Sequence, residues 1–206
     1  RLVGSEMCIR DRCAMTKQTL RAEISARVKN LSPTYCREAD AAICRWVIQS
    51  AQYQEARTIF CYVGTEREID TMALLRDALR DGKTLAVPLC LPEKGMMEAR
   101  RIEGLGDLVS GRYGILAPRL DCPVVAPESF DLAVVPCCTG NARGQRLGYG
   151  GGYYDRYLPR TSCPTMLLCR HQLEREDIPA EEHDILMDYF VTERGIVECA
   201  RGAGKF

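Results

Sequence analysis

The sequence predicts one α/β domain in which helices flank a mostly parallel β-sheet. Apolar, β-branched runs of strand length, such as 58–63, 84–89 and 165–169, alternate with stretches in which apolar residues recur every three or four positions. This alternation is typical of a parallel sheet whose strands are joined by helices. At 206 residues the chain is long enough to bury a substantial core as one domain.

The two ends of the chain are expected to lie outside that domain. Residues 1–14 show no clear periodicity and are expected to be a non-native or disordered leader, with Met15 as the natural start. Residues 201–206 are expected to be a disordered tail. The folded domain is therefore predicted over 15–200.

Two amphipathic helices are predicted at the start of this domain. Apolar residues recur at helical spacing over 20–31, and Ser32-Pro33 then combines a capping residue with a proline suited to a first helical turn. The apolar stripe of the second helix includes Trp46. Lys17 and Arg21 are four residues apart and share one face of the first helix, which the residues alone indicate to be a solvated face.

A βαβ unit is predicted next. A buried strand over 58–63 is followed by a polar loop and by a helix that stops at Asp81-Gly82. A second strand over 84–89 is closed by Pro88, and a right-handed parallel crossover is the default for such a unit. Further strands are predicted over 96–102, 130–136, 165–169 and 189–192, the last as an edge strand.

Composition limits the classes of partner. Lys plus Arg equals Asp plus Glu at 28 each, so the overall charge gives no reason to expect a nucleic-acid or anionic-membrane partner. No apolar run approaches the roughly 18 residues that a membrane-spanning helix needs. The 12 cysteines include no Cys-x-x-Cys spacing, so we expect reduced, mostly buried thiols in a cytoplasmic protein.

The most informative stretch is 144–156, which reads GQRLGYGGGYYDR. Four of its glycines lie within five positions, so their backbone N–H groups can approach a ligand closely: Gly148, Gly150, Gly151 and Gly152. An apolar run over 130–136 precedes the stretch, and a helix-compatible pattern follows from Tyr153. We therefore predict an anion-binding loop between a strand and a helix N-terminus, where phosphate is favoured.

Commoner glycine loops do not fit this stretch. No Lys follows the glycines as a Walker A loop requires, and Tyr153 stands where the dinucleotide fingerprint needs its third glycine. A flexible surface turn is the alternative, but the Arg, Tyr and Asp residues between the glycines argue against it. Arg146 and Arg156 add positive charge, and Asp155 adds an oxygen ligand suited to Mg²⁺, with Asp184 as a possible second carboxylate.

A second polar loop, around Glu68 and Asp70, follows the strand over 58–63. In open α/β sheets, ligands bind beyond the carboxyl ends of the strands. If this strand neighbours the one over 130–136, Glu68 faces the glycine loop across a crevice, as in an enzyme that uses a nucleoside triphosphate on a polar substrate. Asp70 has the alternative role of starting the next helix.

The other reactive side chains have structural interpretations. The thiols of Cys137-Cys138 have no base placed by sequence to activate them, so buried packing is expected. His171 and His183 lie in no metal-ligand pattern and are interpreted as structural or solvated.

The run from Arg146 to Arg156 resembles the signature of the 5-formyltetrahydrofolate cyclo-ligase family, also called 5,10-methenyltetrahydrofolate synthetases. The resemblance covers about 17–192. Its other matching segments are Lys17 to Arg21, Glu68 to Thr71, Asp131 to Pro136, and Ile178 to Asp184. It implies a single catalytic α/β domain of the type shared by sugar-phosphate isomerases and CoA transferases. It also implies ATP-dependent ring closure of 5-formyltetrahydrofolate. We expect the protein to be a monomer.

The resemblance also implies residue roles. Lys17 and Arg21 match a basic pair that meets ATP phosphates, which replaces the solvated-face interpretation. Val63 and Glu68 match folate-contacting positions. Asp155 and Asp184 match Mg²⁺ ligands, and Lys17, Arg146 and Tyr153 are the catalytic candidates. The implied ATP-binding segment, whose residues 149–153 also border the folate, is Arg146, Leu147, Gly148, Tyr149, Gly150, Gly151, Gly152, Tyr153 and Tyr154.

One segment departs from the family pattern. Where the family usually has a more apolar run ending Phe-Asp, this chain has Cys137 to Asn141, so Asn141 replaces an acid. Two alternatives therefore stay open. One is another ATP-dependent ligase or kinase on the same scaffold, and the other is a nucleotide-binding module without catalysis.

Overall fold

The computed structural model describes residues 15–111, 114–182 and 184–199. The predicted leader and tail, and His183, lie outside the described residues. The helices are α1 (Lys17–Asn30), α2 (Pro33–Gln49), α3 (Ala51–Glu55), α4 (Met72–Arg80) and α5 (Tyr153–Tyr157). The strands are β1 (Thr58–Cys61), β2 (Thr84–Cys90), β3 (Met97–Ile102), β4 (Leu108–Ser110), β5 (Leu116–Pro118), β6 (Val124–Val125), β7 (Leu132–Val135), β8 (Thr139–Gly140), β9 (Arg146–Leu147), β10 (Thr165–Leu168), β11 (Tyr189–Thr192) and β12 (Gly195–Glu198).

One mixed sheet of eight strands organises the molecule, in the order β12-β11-β10-β7-β1-β2-β3-β6. The five strands from β11 to β2 in this order run parallel, and the outer strands join them in antiparallel pairs. Two antiparallel pairs, β4-β5 and β8-β9, lie outside this sheet. The predicted α/β class with a mostly parallel sheet is confirmed.

The two faces of the sheet pack against different helices, because successive residues of a strand point to opposite faces. On β1, Ile59 and Cys61 join a core cluster with residues of α2 and α4. Phe60 belongs to the opposite cluster, with Leu20 and Ile24 of α1. The sheet is therefore buried on both sides, as parallel sheets usually are.

The starts of α1 and α2 follow from their capping residues. The side chain of Thr16 accepts a hydrogen bond from the Thr19 N–H at the start of α1, and Ser32 does the same for Tyr35 at the start of α2, where Pro33 fills the first turn. Trp46 differs from its predicted place on the apolar stripe. It is 42 % exposed, and its indole N–H donates to the Glu193 carbonyl oxygen.

The structure corrects two predictions about strands. Pro88 does not close β2, which continues to Cys90; since β1 pairs with β2 only as far as Ala86, the missing N–H of Pro88 costs no bond on that side. The stretch over 189–192 is not an edge strand, because β12 pairs with it and forms the edge. The turn between them, Glu193-Arg194, lacks the Asn-Gly type of signal that marks a hairpin in sequence.

The predicted direct step from strand to glycine loop was also incomplete. The β8-β9 hairpin lies between β7 and the glycines, so the loop leaves from β9 rather than from β7. Strands of two residues are too short to show a period of two in sequence. Within the described part of the chain, no helix is long and apolar enough to span a bilayer.

Candidate functional site

A cavity of about 230 Å³ opens where the parallel neighbours β1 and β7 end. Glu68, from the loop after β1, and the glycine loop line this cavity together, so the two polar loops do face each other. Of the sequence-predicted site residues, the cavity is lined by Lys17, Arg21, Glu68, Arg146, Leu147, Gly148, Tyr149, Gly150, Gly151, Gly152, Tyr153, Tyr154, Asp155 and Asp184. Val63 and Arg156 are the exceptions. Val63 is 5 % exposed and belongs to the core, and its folate contact stays a prediction. Arg156 is exposed, and its Nη1 donates to the Gly151 carbonyl oxygen at 3.2 Å.

The glycine loop needs its glycines for two reasons. Gly150 and Gly152 have φ values of 95° and 68°, which side chains rarely tolerate. Gly148 is not among the glycines with positive φ, but a Cβ there would lie 2.8 Å from Nη1 of Arg146. Gly152 is also the N-cap residue of α5. The loop therefore keeps its backbone close to the arginine and to a helix N-terminus.

Arg146 is the buried cation of the site. Its side chain is 4 % exposed, and Nη2 donates to Oδ1 of Asp155 at 2.5 Å. Its guanidinium also lies over the ring of Tyr154, with 5.5 Å between Cζ and the ring centroid. Among the described residues, Nε of Arg146 has no hydrogen-bond partner. A buried cation with an unused donor is suited to an anionic ligand.

Lys17, the first residue of α1, reaches two acids from the far end of the chain. Its Nζ lies 2.6 Å from Oδ1 of Asp184 and 2.9 Å from Oε2 of Glu181. Burial lowers the pKa of Lys17, but the hydrogen bonds to Asp184 and Glu181 outweigh that effect and leave the pKa raised. Lys17 is therefore firmly cationic at the cavity wall.

Arg21 lies one turn further along α1 and contacts the glycine loop itself. Its Nε donates to the Gly148 carbonyl oxygen at 2.7 Å. Its Cζ would lie 3.5 Å from a Cβ built on Gly150. Together Lys17, Arg21 and Arg146 place three cations at the cavity wall.

Glu68 supplies a carboxylate to the cavity from the loop after β1. Its Oε2 accepts a hydrogen bond from the Thr65 N–H at 3.1 Å. Burial raises the pKa of Glu68 above its ordinary value of 4.5, although the hydrogen bonds from Thr65 lower it. This side chain can accept hydrogen bonds from N–H groups of a bound ligand.

A buried ion pair that the sequence interpretation missed holds the Glu68 loop from behind. Arg170, just after β10, donates to both carboxylate oxygens of Asp40 at 2.7 and 2.8 Å. Nη2 of Arg170 also donates to the Glu68 carbonyl oxygen at 2.7 Å, and Asp40 accepts the Asp70 N–H at 2.9 Å. The available signal was Asp40 itself, a carboxylate on the buried face of α2.

The tyrosines of the glycine loop have different environments. The Tyr149 hydroxyl donates to the Cys137 carbonyl oxygen at 3.2 Å, while its ring is partly exposed at the cavity. The Tyr153 ring lies against Gly151, where a Cβ would come within 2.7 Å of it. Burial raises the pKa of Tyr149 and of Tyr154, so both hydroxyls stay protonated at neutral pH.

Asn141, at the departure from the family pattern, is fully buried and satisfied. Its Nδ2 donates to Oε1 of Gln145 and to the Arg175 carbonyl oxygen, and its Oδ1 accepts the N–H groups of Arg143 and Gln145. A carboxylate could not donate those first two bonds. Asn141 therefore closes the β8-β9 hairpin.

The described residues include no cluster of three or more His, Cys, Asp or Glu side chains that could hold a metal alone. Asp155 and Asp184 nevertheless line the same cavity, each beside a cation. Mg²⁺ usually takes only one or two carboxylates and completes its shell with phosphate oxygens and water. The two carboxylates thus fit a Mg²⁺ ion that arrives with a nucleotide.

Comparisons with known proteins agree with this geometry. Residues 14–193 match the model of the 5-formyltetrahydrofolate cyclo-ligase family. The chain is 32 % identical over 149 residues to the 5-formyltetrahydrofolate cyclo-ligase of Escherichia coli K12, covering 69 % of this chain and 81 % of that protein. It is 28 % identical to the mitochondrial 5-formyltetrahydrofolate cyclo-ligase of Arabidopsis thaliana, covering 88 % of this chain and 75 % of that one.

A solved structure extends the similarity to the fold. The NMR structure of 5,10-methenyltetrahydrofolate synthetase from Aquifex aeolicus superposes with a TM-score of 0.80 at 26 % identity. The match covers 93 % of this chain and 97 % of that one. With the family model spanning most of the sequence, the chain belongs to the 5-formyltetrahydrofolate cyclo-ligase family.

Proposed function

We propose that this protein catalyses the ATP-dependent cyclisation of 5-formyltetrahydrofolate to 5,10-methenyltetrahydrofolate, with release of ADP and phosphate. The observation that carries the proposal is that the glycine loop and Glu68 line one cavity. A triphosphate on one wall can then meet a formamide held from the other. Family membership supports the same reaction.

The reaction needs ATP because a formamide is a poor electrophile and its oxygen a poor leaving group. The formyl oxygen attacks the γ-phosphorus, a new O–P bond forms, and the bond to ADP breaks. N10 of the folate then attacks the formyl carbon and loses its proton. The C–O bond breaks, and the former formyl oxygen leaves with phosphate.

The protein contributes charge and position to this sequence. Phosphoryl transfer depends mainly on alignment and on neutralising the phosphate oxygens. Lys17, Arg21 and Arg146, with the N–H groups of the glycine loop, would supply both, and preorganised cations of this kind act strongly in a partly desolvated site. A protein nucleophile is not required, and burial raises the pKa of the nearby Cys137 and Cys138 thiols.

The two ion pairs in the cavity, Arg146–Asp155 and Lys17–Asp184, would together bind a metal ion and phosphate groups. Asp155 and Asp184 would hold Mg²⁺, which supplies charge neutralisation and orientation of phosphate oxygens when bound. Lys17 and Arg146 would then turn their donors toward the triphosphate. With Mg²⁺ and the triphosphate bound, each carboxylate would still lie beside a positive charge and each cation beside a negative charge.

The folate would lie along the other wall. Glu68 is placed to accept hydrogen bonds from the pterin N–H groups, and the Tyr153 ring can stack against the pterin. We also propose a monomer that works in the cytoplasm, where its thiols stay reduced; all ten described cysteines are free. Sedimentation of the purified protein tests the monomer.

The direct test is a spectrophotometric assay for methenyltetrahydrofolate formed from 5-formyltetrahydrofolate with and without ATP. Product that appears only with ATP is expected. Nucleotide binding without turnover would instead indicate a regulatory module, and turnover with a different acceptor only would indicate another ligase.

Isotope labelling tests the proposed order of bonds. When the formyl oxygen carries ¹⁸O, the label is expected in the released phosphate, because that oxygen leaves bonded to phosphorus. Label in water instead would contradict phosphorylation of the formyl group.

A further inference from the structure

A second cavity, of about 290 Å³, adjoins the first one. Arg21 and Tyr149 line both cavities and so form the boundary between them. The rest of its wall includes Ile24, Ser25 and Val28 from one face of α1, and Arg67 from the loop that carries Glu68. None of these four residues was a predicted site residue.

The first cavity is too small to hold both reactants. Its 230 Å³ lies below the roughly 300–1,000 Å³ that pockets for small ligands usually occupy. A nucleoside triphosphate and a complete folate are two ligands of that size class. At least one of the two ligands must therefore extend beyond the first cavity, and the second cavity continues the first one past Tyr149.

The walls of the second cavity match the chemistry of one part of the folate. Ile24 is almost fully buried and Val28 is half-buried, so the apolar surface that this side of α1 offers to a planar aromatic group comes mainly from Val28. Arg67 is exposed at the other side, and no acidic side chain among the described residues pairs with it. An arginine free to form a bidentate pair is suited to a carboxylate.

The position of Arg67 in the sequence also favours a contact with the carboxylate end of the folate. Arg67 directly precedes Glu68, the residue proposed to hold the pterin. A ligand whose ring lies at Glu68 and whose other end carries carboxylates would pass Tyr149 and reach Arg67.

We infer that the second cavity binds the p-aminobenzoyl-glutamate arm of the folate, with Arg67 pairing with the glutamate carboxylates. This inference rests on the proposed function. The aromatic ring of the arm packs between Tyr149 and the apolar face of α1. Arg67 is then a specificity-determining residue that recognises the glutamate rather than the reacting centre.

Arg67→Ala tests the carboxylate contact with two substrates. The KM for 5-formyltetrahydrofolate is expected to rise about fivefold, which corresponds to about 1 kcal/mol for a partly exposed ion pair. The KM for 5-formyltetrahydropteroate, which lacks the glutamate, is expected to stay unchanged, and so are kcat and the KM for ATP. Arg45→Ala, which removes an exposed arginine from α2, is the matched control and should change none of these constants.

Ser25→Phe tests the cavity itself by filling it from α1. The KM is expected to rise about tenfold or more for both substrates that carry the benzoyl ring, whereas a 5-formyltetrahydropterin without the arm is turned over as by the wild type. If this variant fails to fold, Arg67→Ala still decides the inference.

The outcomes separate this inference from the proposed function. Wild-type turnover together with equal effects of Arg67→Ala on both substrates, or with no effect on either, would overturn the inference alone. Absence of ATP-dependent turnover by the wild type, with any of the three formylated substrates, would overturn the proposed function as well.

Discussion

Short ion pairs support both polar loops of the cavity, but only the pairs beside the glycine loop are open to a ligand. On the glycine-loop wall, the carboxylates of Asp155 and Asp184 are 34 % and 22 % exposed, and both line the cavity with their partners Arg146 and Lys17. In the proposed reaction these pairs would exchange partners when phosphate and metal enter.

On the opposite wall, the pair lies behind the surface. The side chains of Arg170 and Asp40 are only 5 % and 9 % exposed, and their remaining hydrogen bonds go to the backbone of Glu68 and Asp70. This pair does not line the cavity and holds the loop that does. Ion pairs between a basic residue and an aspartate thus have two roles: those beside the glycine loop are open to a ligand, and the buried one holds the Glu68 loop in place.

If that distinction is correct, the largest effect on stability comes from the hidden pair. Asp40→Asn removes the charge that compensates Arg170, and breaking a buried pair typically costs about 3–5 kcal/mol. Denaturant unfolding should show a loss of this size. Glu38→Gln is the matched control, since it changes an exposed acid on the same helix and should shift stability by less than about 0.5 kcal/mol. Equal effects of the two variants would contradict the structural role of the pair.

The largest effect on catalysis is expected at the open wall. Arg146→Ala removes a preorganised cation from the proposed phosphate site, and losses of about 10²–10³ in kcat are typical for such groups. Steady-state assays measure the loss. Arg143→Ala, at an exposed position of the same hairpin, serves as control. Retention of most activity by Arg146→Ala would exclude a phosphate contact for this residue.

A smaller catalytic effect is expected for a carboxylate of the same wall. Asp155→Asn should lower turnover by at least about tenfold, or roughly 1.4 kcal/mol of transition-state stabilisation, and should raise the Mg²⁺ concentration needed for half-maximal rate. Asp121→Asn, on an exposed turn, should change neither value. An unchanged Mg²⁺ requirement in Asp155→Asn would remove this residue from the metal site.

The smallest expected effect is a pH dependence of folding stability that comes from Glu68. Because burial raises the pKa of Glu68 above 4.5, the folded state binds this proton more tightly than the unfolded chain does. Stability is therefore lost as pH rises from 4.5 through the folded-state pKa. In Glu68→Gln this loss is absent, so its stability relative to the wild type should increase across that window and stay constant below it.

Denaturant unfolding at several pH values checks this expectation. Glu66→Gln changes an exposed acid of the same loop and should show no such pH dependence. A difference between Glu68→Gln and the wild type that does not vary with pH would contradict a raised pKa.

Local patterns predicted the fold well because they reflect local physics. The apolar period of α1, the Ser32-Pro33 start of α2 and the alternation of strands with helices were all readable in the sequence. The β8-β9 hairpin was not, since its strands have two residues each and are held by the buried side chain of Asn141.

The site was predictable only where its chemistry is contiguous in sequence. The glycine loop is visible as one continuous stretch of sequence. In contrast, Arg21 donates to a carbonyl oxygen 127 residues away, and Arg170 pairs with an acid 130 residues away. The residues alone indicated a solvated face for Lys17 and Arg21, and only the family resemblance placed them near phosphate. Long-range pairs of this kind depend on the assembled sheet, which no local pattern contains.

A crystal structure with a non-hydrolysable ATP analogue and 5-formyltetrahydrofolate would examine both walls at once. The triphosphate is expected against Lys17, Arg21 and Arg146, with its terminal phosphate directed at the formyl oxygen of a folate bound to Glu68. A nucleotide bound outside this cavity, or a formyl group turned away from the terminal phosphate, would contradict the proposed division of the site.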